Sequence, residues 1–155
     1  MLEILRGKVE PGWIDYNGHM NVAYYHVAFD RATERFLEKI GLGEGYVQRE
    51  AGSMFALEDH LTYQRELKVG QSFVVSVQLL DFDEKRLHYF QKMHHAEEGV
   101  LAATCEHLSI YVDMNRRRSA PIPAKVKAQL SEIFESHRNL ARPDEAGRPM
   151  GLRRG

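Results

Sequence analysis

The chain has little with which to cross-link or anchor itself. It carries one cysteine, Cys105, in 155 residues, so no internal disulfide framework can form. Cys105 falls in the apolar pattern Leu101-Ala-Ala-Thr-Cys105 and reads as a small core residue. No stretch approaches the roughly 20 apolar residues of a membrane span. Met1-Leu-Glu-Ile-Leu-Arg lacks the long apolar run of a signal peptide. A cytoplasmic protein with no membrane partner is expected. Neither charge sign dominates: 21 Lys+Arg stand against 22 Asp+Glu, a net charge of −1. No bulk attraction to nucleic acid follows, although Arg116-Arg117-Arg118 is a local cluster suited to a phosphate. The eight histidines form no His-Glu-x-x-His motif and meet no cysteine pair, so no metal is expected. His94-His95 and His107 read instead as polar contacts on a sheet or at a subunit interface. Without a Gly-x-Ser-x-Gly elbow, a Ser-His-Asp triad has no support.

What remains is an ordinary globular composition, 43% apolar, enough for one well-packed domain. That domain is expected over residues 1–137. Residues 138–155, rich in Pro, Gly and Arg, read as a mobile C-terminal tail.

The strongest pattern is helical. Tyr25, Phe29, Ala32, Phe36 and Ile40 recur at spacings of four, three, four and four, forming one apolar stripe. Asp30, Arg31, Glu34, Arg35, Glu38 and Lys39 fill much of the remainder. This predicts a helix over 22–39, with Asn21 as N-cap and Gly41 in the left-handed position that ends it. A short strand is expected over 3–10. After residue 54 the pattern turns to strands: about 55–63, then 72–80, where Phe73, Val75, Val77 and Leu79 alternate with Ser72, Val74, Ser76 and Gln78. Strands over 86–96 and 100–113 follow, joined by a hairpin loop at Glu97-Glu98-Gly99. Pro121 and Pro123 then introduce a final helix carrying Val126, Leu130, Ile133 and Phe134. Long neighbouring strands with short turns imply a curved antiparallel sheet, whose concave face must be covered. The 22–39 helix has the stripe to cover it. The fold expected is α+β, a curved antiparallel sheet wrapped around a long central helix, with a C-terminal helix.

The chemistry concentrates ahead of that helix, in Trp13-Ile-Asp15-Tyr-Asn-Gly18-His19-Met-Asn21. A carboxylate there stands near unpaired N–H groups and a partial positive charge. Those are parts with which a carbonyl can be attacked and its oxyanion held. A plainer reading makes Asp15 a loop residue that caps or turns.

Asp15-x-x-Gly18-His19-x-Asn21, followed by Tyr24-Tyr25, resembles the signature of hotdog-fold acyl-CoA thioesterases of the 4-hydroxybenzoyl-CoA thioesterase type. The segments Asp83 to Phe90, Leu101 to His107 and Val112-Asp113 are similar to the betainyl-CoA thioesterases of carnitine breakdown, which also occur fused to L-carnitine dehydrogenase. The resemblance implies a homodimer or homotetramer with active sites at the dimer interface. It also implies no cofactor beyond the CoA thioester substrate. Asp15 matches the catalytic carboxylate, as nucleophile or as the base that activates water. Val22 and Ala23 match the oxyanion donors through their N–H groups. Gly18 permits a tight turn and close backbone approach. His19 either orients the thioester or is a structural histidine, and Asn21 either caps the helix or also touches substrate. A trimethylammonium acyl group is held well by aromatic faces. Trp13, Tyr16, Tyr24, Phe55, Tyr63 and Tyr89 are available, with core or interface packing as the alternative for each. Glu58 or Asp59 offers a countercharge. Lys85, Arg86, Arg116, Arg117 and Arg118 are candidates for the CoA phosphates, or simply solvated charge. The function implied is hydrolysis of betainyl-CoA to glycine betaine and CoA. The alternatives are hydrolysis of another short or aromatic acyl-CoA, or binding of a CoA thioester without hydrolysis.

Overall fold

The computed structural model describes residues 1–152. In chain order the elements are β1 (Leu2–Lys8), a 3-10 turn at Pro11–Trp13, α1 (Val22–Lys39), α2 (Glu44–Glu50), β2 (Gly52–Tyr63), β3 (Ser72–Phe82), β4 (Arg86–His95), β5 (Leu101–Asp113), β6 (Arg118–Ser119) and α3 (Ala124–His137). The strands form one antiparallel sheet in the order β1-β3-β4-β5-β2, with β6 added to β5. Strands β3, β4 and β5 follow one another through tight hairpins. Strand β2 reaches its place beside β5 from the far side of α1, and so becomes an outer edge.

The stripe on α1 faces the sheet as its spacing predicts: Tyr25, Phe29, Ala32, Phe36 and Ile40 are all buried. Around its first half pack Val9, Trp13, Met20, Leu67, Phe73, Val75, Met93 and Cys105. Around its second half pack Leu42, Val77, Leu79, Leu87, Tyr111, Val126 and Leu130. Each large apolar side chain removed from water contributes about 1.5–3 kcal/mol, so these two clusters fix the helix against the sheet. Asn21 caps α1 by accepting from the Ala23 N–H at 3.0 Å. Gly41, at φ +82°, supplies the left-handed residue that ends it.

Helix α2 has no counterpart in the sequence pattern. It is seven residues long and buries no residue. It is held by a contact distant in sequence, the 2.7 Å hydrogen bond between the Tyr46 and Tyr111 hydroxyls. Beyond α3 the chain lies against the sheet face opposite α1. Gln78 Nε2 donates to the Ala141 carbonyl at 3.3 Å, the Gly147 N–H donates to Glu106 Oε2 at 2.7 Å, and Pro143 is buried. The last three residues of the expected tail lie outside the described residues.

Candidate active site

The segment ahead of α1 is a small closed hairpin. The Asn21 N–H donates to the Trp13 carbonyl (2.9 Å), Ile14 bridges Met20, and the Asp15 N–H donates to the His19 carbonyl (3.1 Å). The Gly18 N–H closes the turn on the Asp15 carbonyl at 3.0 Å. Gly18 adopts φ +81°, a conformation glycine takes without steric cost. Asp15 therefore stands at a fixed point of a short hairpin.

Its carboxylate is oriented from two sides. Oδ1 accepts from the Asn17 N–H at 2.8 Å, and Oδ2 accepts from Asn21 Nδ2 at 3.3 Å. The same Asn21 side chain caps α1 through Oδ1. The amide carries its donor and its acceptor on separate atoms, so one residue ties the carboxylate to the helix start. That cap occupies the Ala23 N–H, and the Tyr24 N–H goes to the Asn21 carbonyl at 3.0 Å. The Val22 N–H has no acceptor among the described residues and sits at an exposed position. Of the two N–H groups expected to hold an oxyanion, Val22 is thus the one left free.

In front of this helix end lies a cleft of about 210 Å³ lined by His19, Met20, Val22, Tyr25, Tyr63, Gln64, Arg65 and Glu66. His19 and Tyr63 are accordingly brought together with Val22. His19 Nδ1 lies 3.2 Å from the Met20 carbonyl. Tyr25 fixes the cleft floor: its hydroxyl donates to the Arg65 carbonyl (3.4 Å) and accepts from the Leu67 N–H (3.0 Å). Burial pushes the Tyr25 phenol above its ordinary pKa. Tyr63 meets the Tyr25 ring edge-on at 5.3 Å.

The other expected residues are dispersed. Trp13 is buried; Tyr24 stacks on it at 5.4 Å and the Arg31 guanidinium lies 5.2 Å from its ring centre. Tyr16 is 97% exposed at the hairpin tip. Tyr89 is buried beneath α1, bonded to Thr33 Oγ1 at 3.3 Å, and burial pushes its phenol up to about 12. Phe55 lies under the Arg117 guanidinium, 5.6 Å from its ring centre. Glu58 lines a different, larger cavity of about 630 Å³, together with Asp59, His60, His88, Glu106, His107, Leu108 and residues 147–150.

Lys85 and Arg86 sit in the β3–β4 turn. Hydrogen bonding by the Arg86 guanidinium holds the Asp83 carboxyl down at about 2. Arg116 and Arg117 occupy the exposed β5–β6 turn and Arg118 opens β6. The Tyr111 N–H donates to the Lys85 carbonyl at 2.8 Å, so all five basic residues gather at one end of the sheet. The Asp15 hairpin lies at the other end, near Ala102. Strand β5 spans the gap with 13 residues, about 40 Å of extended chain.

One constellation was not legible in sequence. His26, on α1 one turn beyond Val22, puts Nε2 3.0 Å from Asp59 Oδ2 on β2. His107 Nδ1 lies 2.6 Å from Asp59 Oδ1, with the His107 ring stacked on Tyr89 at 4.6 Å. Burial alone raises the Asp59 carboxyl, but hydrogen bonds and electrostatic attraction from His107 and His26 outweigh it and hold the group below the usual range. Cys105 Sγ completes a set of three donor atoms within 4.8 Å of one another, with Asp59 and His107. Burial pushes its thiol well up, so it sits there as a neutral thiol. The available signal was the β2 alternation, which gives Asp59, Leu61 and Tyr63 one face.

A curved antiparallel sheet around one long helix, with a carboxylate hairpin at the helix start, is the architecture of the hotdog thioesterases. Residues 9–130 match the Thioesterase-like superfamily, and the chain belongs to it. A betainyl-CoA thioesterase of Pseudomonas aeruginosa is 37% identical over 93% of this chain and 91% of its own length. An L-carnitine dehydrogenase/betainyl-CoA thioesterase of Rhizobium meliloti is 40% identical over 99% of this chain; the match spans 31% of that longer protein. Among solved structures, a hypothetical protein of Staphylococcus aureus in complex with CoA aligns with TM-score 0.92 and 29% identity, covering 99% of this chain and 98% of its own.

Proposed function

We propose that the chain hydrolyses betainyl-CoA to glycine betaine and CoA as a step of carnitine breakdown in the cytoplasm, using no metal or redox cofactor. The substrate reading rests on the relatives of P. aeruginosa and R. meliloti that carry that name. The observation that carries the hydrolytic reading is the Asn21 side chain, which joins the Asp15 carboxylate to the capped start of α1 and leaves the Val22 N–H free. Asp15 attacks the thioester carbonyl, or draws the proton from a water that does. The Val22 N–H donates a hydrogen bond to the developing oxyanion, which typically lowers the barrier by about 3–4 kcal/mol. CoA thiolate leaves; where Asp15 itself attacks, water then hydrolyses the mixed anhydride it has formed, and on either route the acyl group departs as glycine betaine with Asp15 restored. His19 and Tyr63 border the carbonyl from the cleft wall.

The working unit of this reading is a homo-oligomer. Strand β2 pairs with β5 on one side only, and its outer edge exposes Leu57 and Tyr63. A long unpaired edge is a template for another strand. A two-fold pairing of two β2 edges sets the strands antiparallel. It thereby brings Phe55 and the Arg116–Arg118 turn of one copy toward the Asp15 hairpin of the other. This resolves the separation of about 40 Å along β5, because one CoA could not bridge the two regions within a single chain.

The test is a panel of acyl-CoAs with released thiol as the readout. Betainyl-CoA is expected to give the highest kcat/KM, and Asp15→Asn to lower kcat by at least about 100-fold. The asparagine still accepts from the Asn17 N–H, so the fold is expected to persist. A folded Asp15→Asn protein with near wild-type turnover would end the mechanism. A higher kcat/KM on neutral acyl-CoAs of similar size would end the substrate assignment.

A further inference from the structure

Strand β5 carries Cys105 and His107 two positions apart, so both side chains leave the same face of the sheet. In the neighbouring strand β2, Asp59 stands directly opposite His107, and Leu61 opposite Cys105. This register gathers a thiol, an imidazole and a carboxylate on the inner face. Each offers a donor atom within 4.8 Å of the other two. His107 Nδ1 lies 3.7 Å from Cys105 Sγ and 2.6 Å from Asp59 Oδ1. The second carboxylate oxygen, Oδ2, is taken by His26 Nε2 at 3.0 Å. Buried His107 Nε2 has no hydrogen-bond partner among the described residues. None of these side chains lines the cleft at Val22.

A sulfur, a nitrogen and an oxygen donor together suit zinc and its neighbours in the first transition row rather than magnesium or calcium. Thiolate and carboxylate balance the charge of a divalent ion and the imidazole adds none, so the loaded site is neutral. Burial keeps the Cys105 thiol protonated on its own, and the charge of a coordinated ion offsets that cost. In a tetrahedral zinc site, bonds of about 2.3 Å to sulfur and about 2.0 Å to nitrogen and oxygen set such donors about 3.3–3.5 Å apart. The Sγ–Nδ1 separation is already near that range. Asp59 Oδ1 must draw back from Nδ1 by about 0.7 Å, which a small turn of its side chain supplies. The thiol gives its proton to solvent. A neutral imidazole keeps its single N–H by moving it to the unpartnered Nε2, and an imidazolium loses one proton more. No particular charge on His107 is therefore required. His26 stays on Oδ2 and orients the carboxylate from outside, as partners of metal ligands do. The Asp59 side chain is 19% exposed, so an ion reaches the site from solvent and water completes its coordination.

We infer that Asp59, Cys105 and His107 form a binding site for a divalent transition-metal ion of the zinc kind. The ion ties β2 to β5 beneath α1. It takes no part in the hydrolysis proposed above, which uses Asp15 and the Val22 N–H.

Cobalt(II) is the probe, added to the full chain after a chelator has stripped it of metal. Cys105 is the one cysteine in the sequence, so a thiolate-to-cobalt charge-transfer band reports on it alone. That band is expected together with the intense visible bands of a tetrahedral centre, saturating at one cobalt per chain and lost when zinc is added. Cys105→Ala and Cys105→Ser are expected to abolish the charge-transfer band. These two variants and His107→Gln are each expected to weaken zinc binding at least about tenfold. Zinc is also expected to raise the thermal unfolding midpoint of the wild type and not that of the cysteine variants. The wild-type spectrum alone decides the matter should a variant not fold. A folded wild-type chain without the charge-transfer band under excess cobalt overturns the site. So do weak octahedral bands that persist in Cys105→Ala, which mean cobalt held at surface histidines, and so does a folded His107→Gln with wild-type zinc affinity.

Discussion

At the scale of single residues, Asn21 joins stability to chemistry. Its Oδ1 caps the helix and its Nδ2 orients Asp15, so the two roles separate by substitution. Asn21→Ser keeps a capping oxygen and loses the separate amide N–H that reaches Asp15. It is expected to change stability by only a few tenths of a kcal/mol while lowering kcat, because Asp15 is then positioned by the Asn17 N–H alone. Asn21→Ala loses both, and is expected to cost about 1 kcal/mol in urea unfolding as well. Equal activity for wild type and Asn21→Ser would mean that the 3.3 Å contact to Asp15 does nothing in catalysis. Much of this region was legible in the sequence, because Asp15, Gly18 and Asn21 act through local turns and caps whose partners lie within a few residues. The His26–Asp59–His107 cluster was not legible. Its members are 33 and 48 residues apart and meet only once helix and sheet have packed. The choice between Val22 and Ala23 depended in the same way on which N–H the cap would take.

At the scale of elements, periodicity carries what burial makes periodic. Helix α1 and strands β3 to β5 were readable because each sets one face against the core. Helix α2 was not, since none of its residues is fully buried and the hydroxyl pair that ties Tyr46 to Tyr111 is long-range. The end of α3 shows a further dependence on tertiary structure. His137 Nδ1 accepts the buried Leu79 N–H at 3.1 Å, and burial holds the imidazole below its ordinary pKa. A histidine with a depressed folded-state value binds its proton more readily when unfolded. Its contribution is therefore fully present above the unfolded value of about 6.5 and falls as the pH drops below it. Protonation would also replace the acceptor on Leu79 with a donor. Urea unfolding at pH 7.5 and pH 5.5 is expected to show lower stability at the acid pH, and His137→Gln is expected to narrow that difference. An unchanged difference in the variant would remove His137 from the account.

At the scale of the whole molecule, one chain holds the parts of the proposed reaction in two places. The carboxylate hairpin and the Val22 N–H lie at one end of β5, and the basic turns lie at the other. Neither end can be moved toward the other without unmaking the sheet, so the proposed CoA site is complete only if a second copy supplies its basic end. Leu57 stands near the middle of β2, at the bulge between Ala56 and Glu58, and is 54% exposed. A two-fold axis through the middle of paired β2 edges brings two Leu57 side chains close together, so Leu57→Lys sets like charges against each other there. Sedimentation velocity is expected to show wild type as a dimer or larger and Leu57→Lys as a folded monomer, with circular dichroism unchanged. Turnover on betainyl-CoA is expected to fall with the loss of assembly, although Leu57 touches neither the hairpin nor the cleft. A Leu57→Lys monomer that retains full kcat/KM would show that one chain suffices, and the basic turns would then have no part in the site.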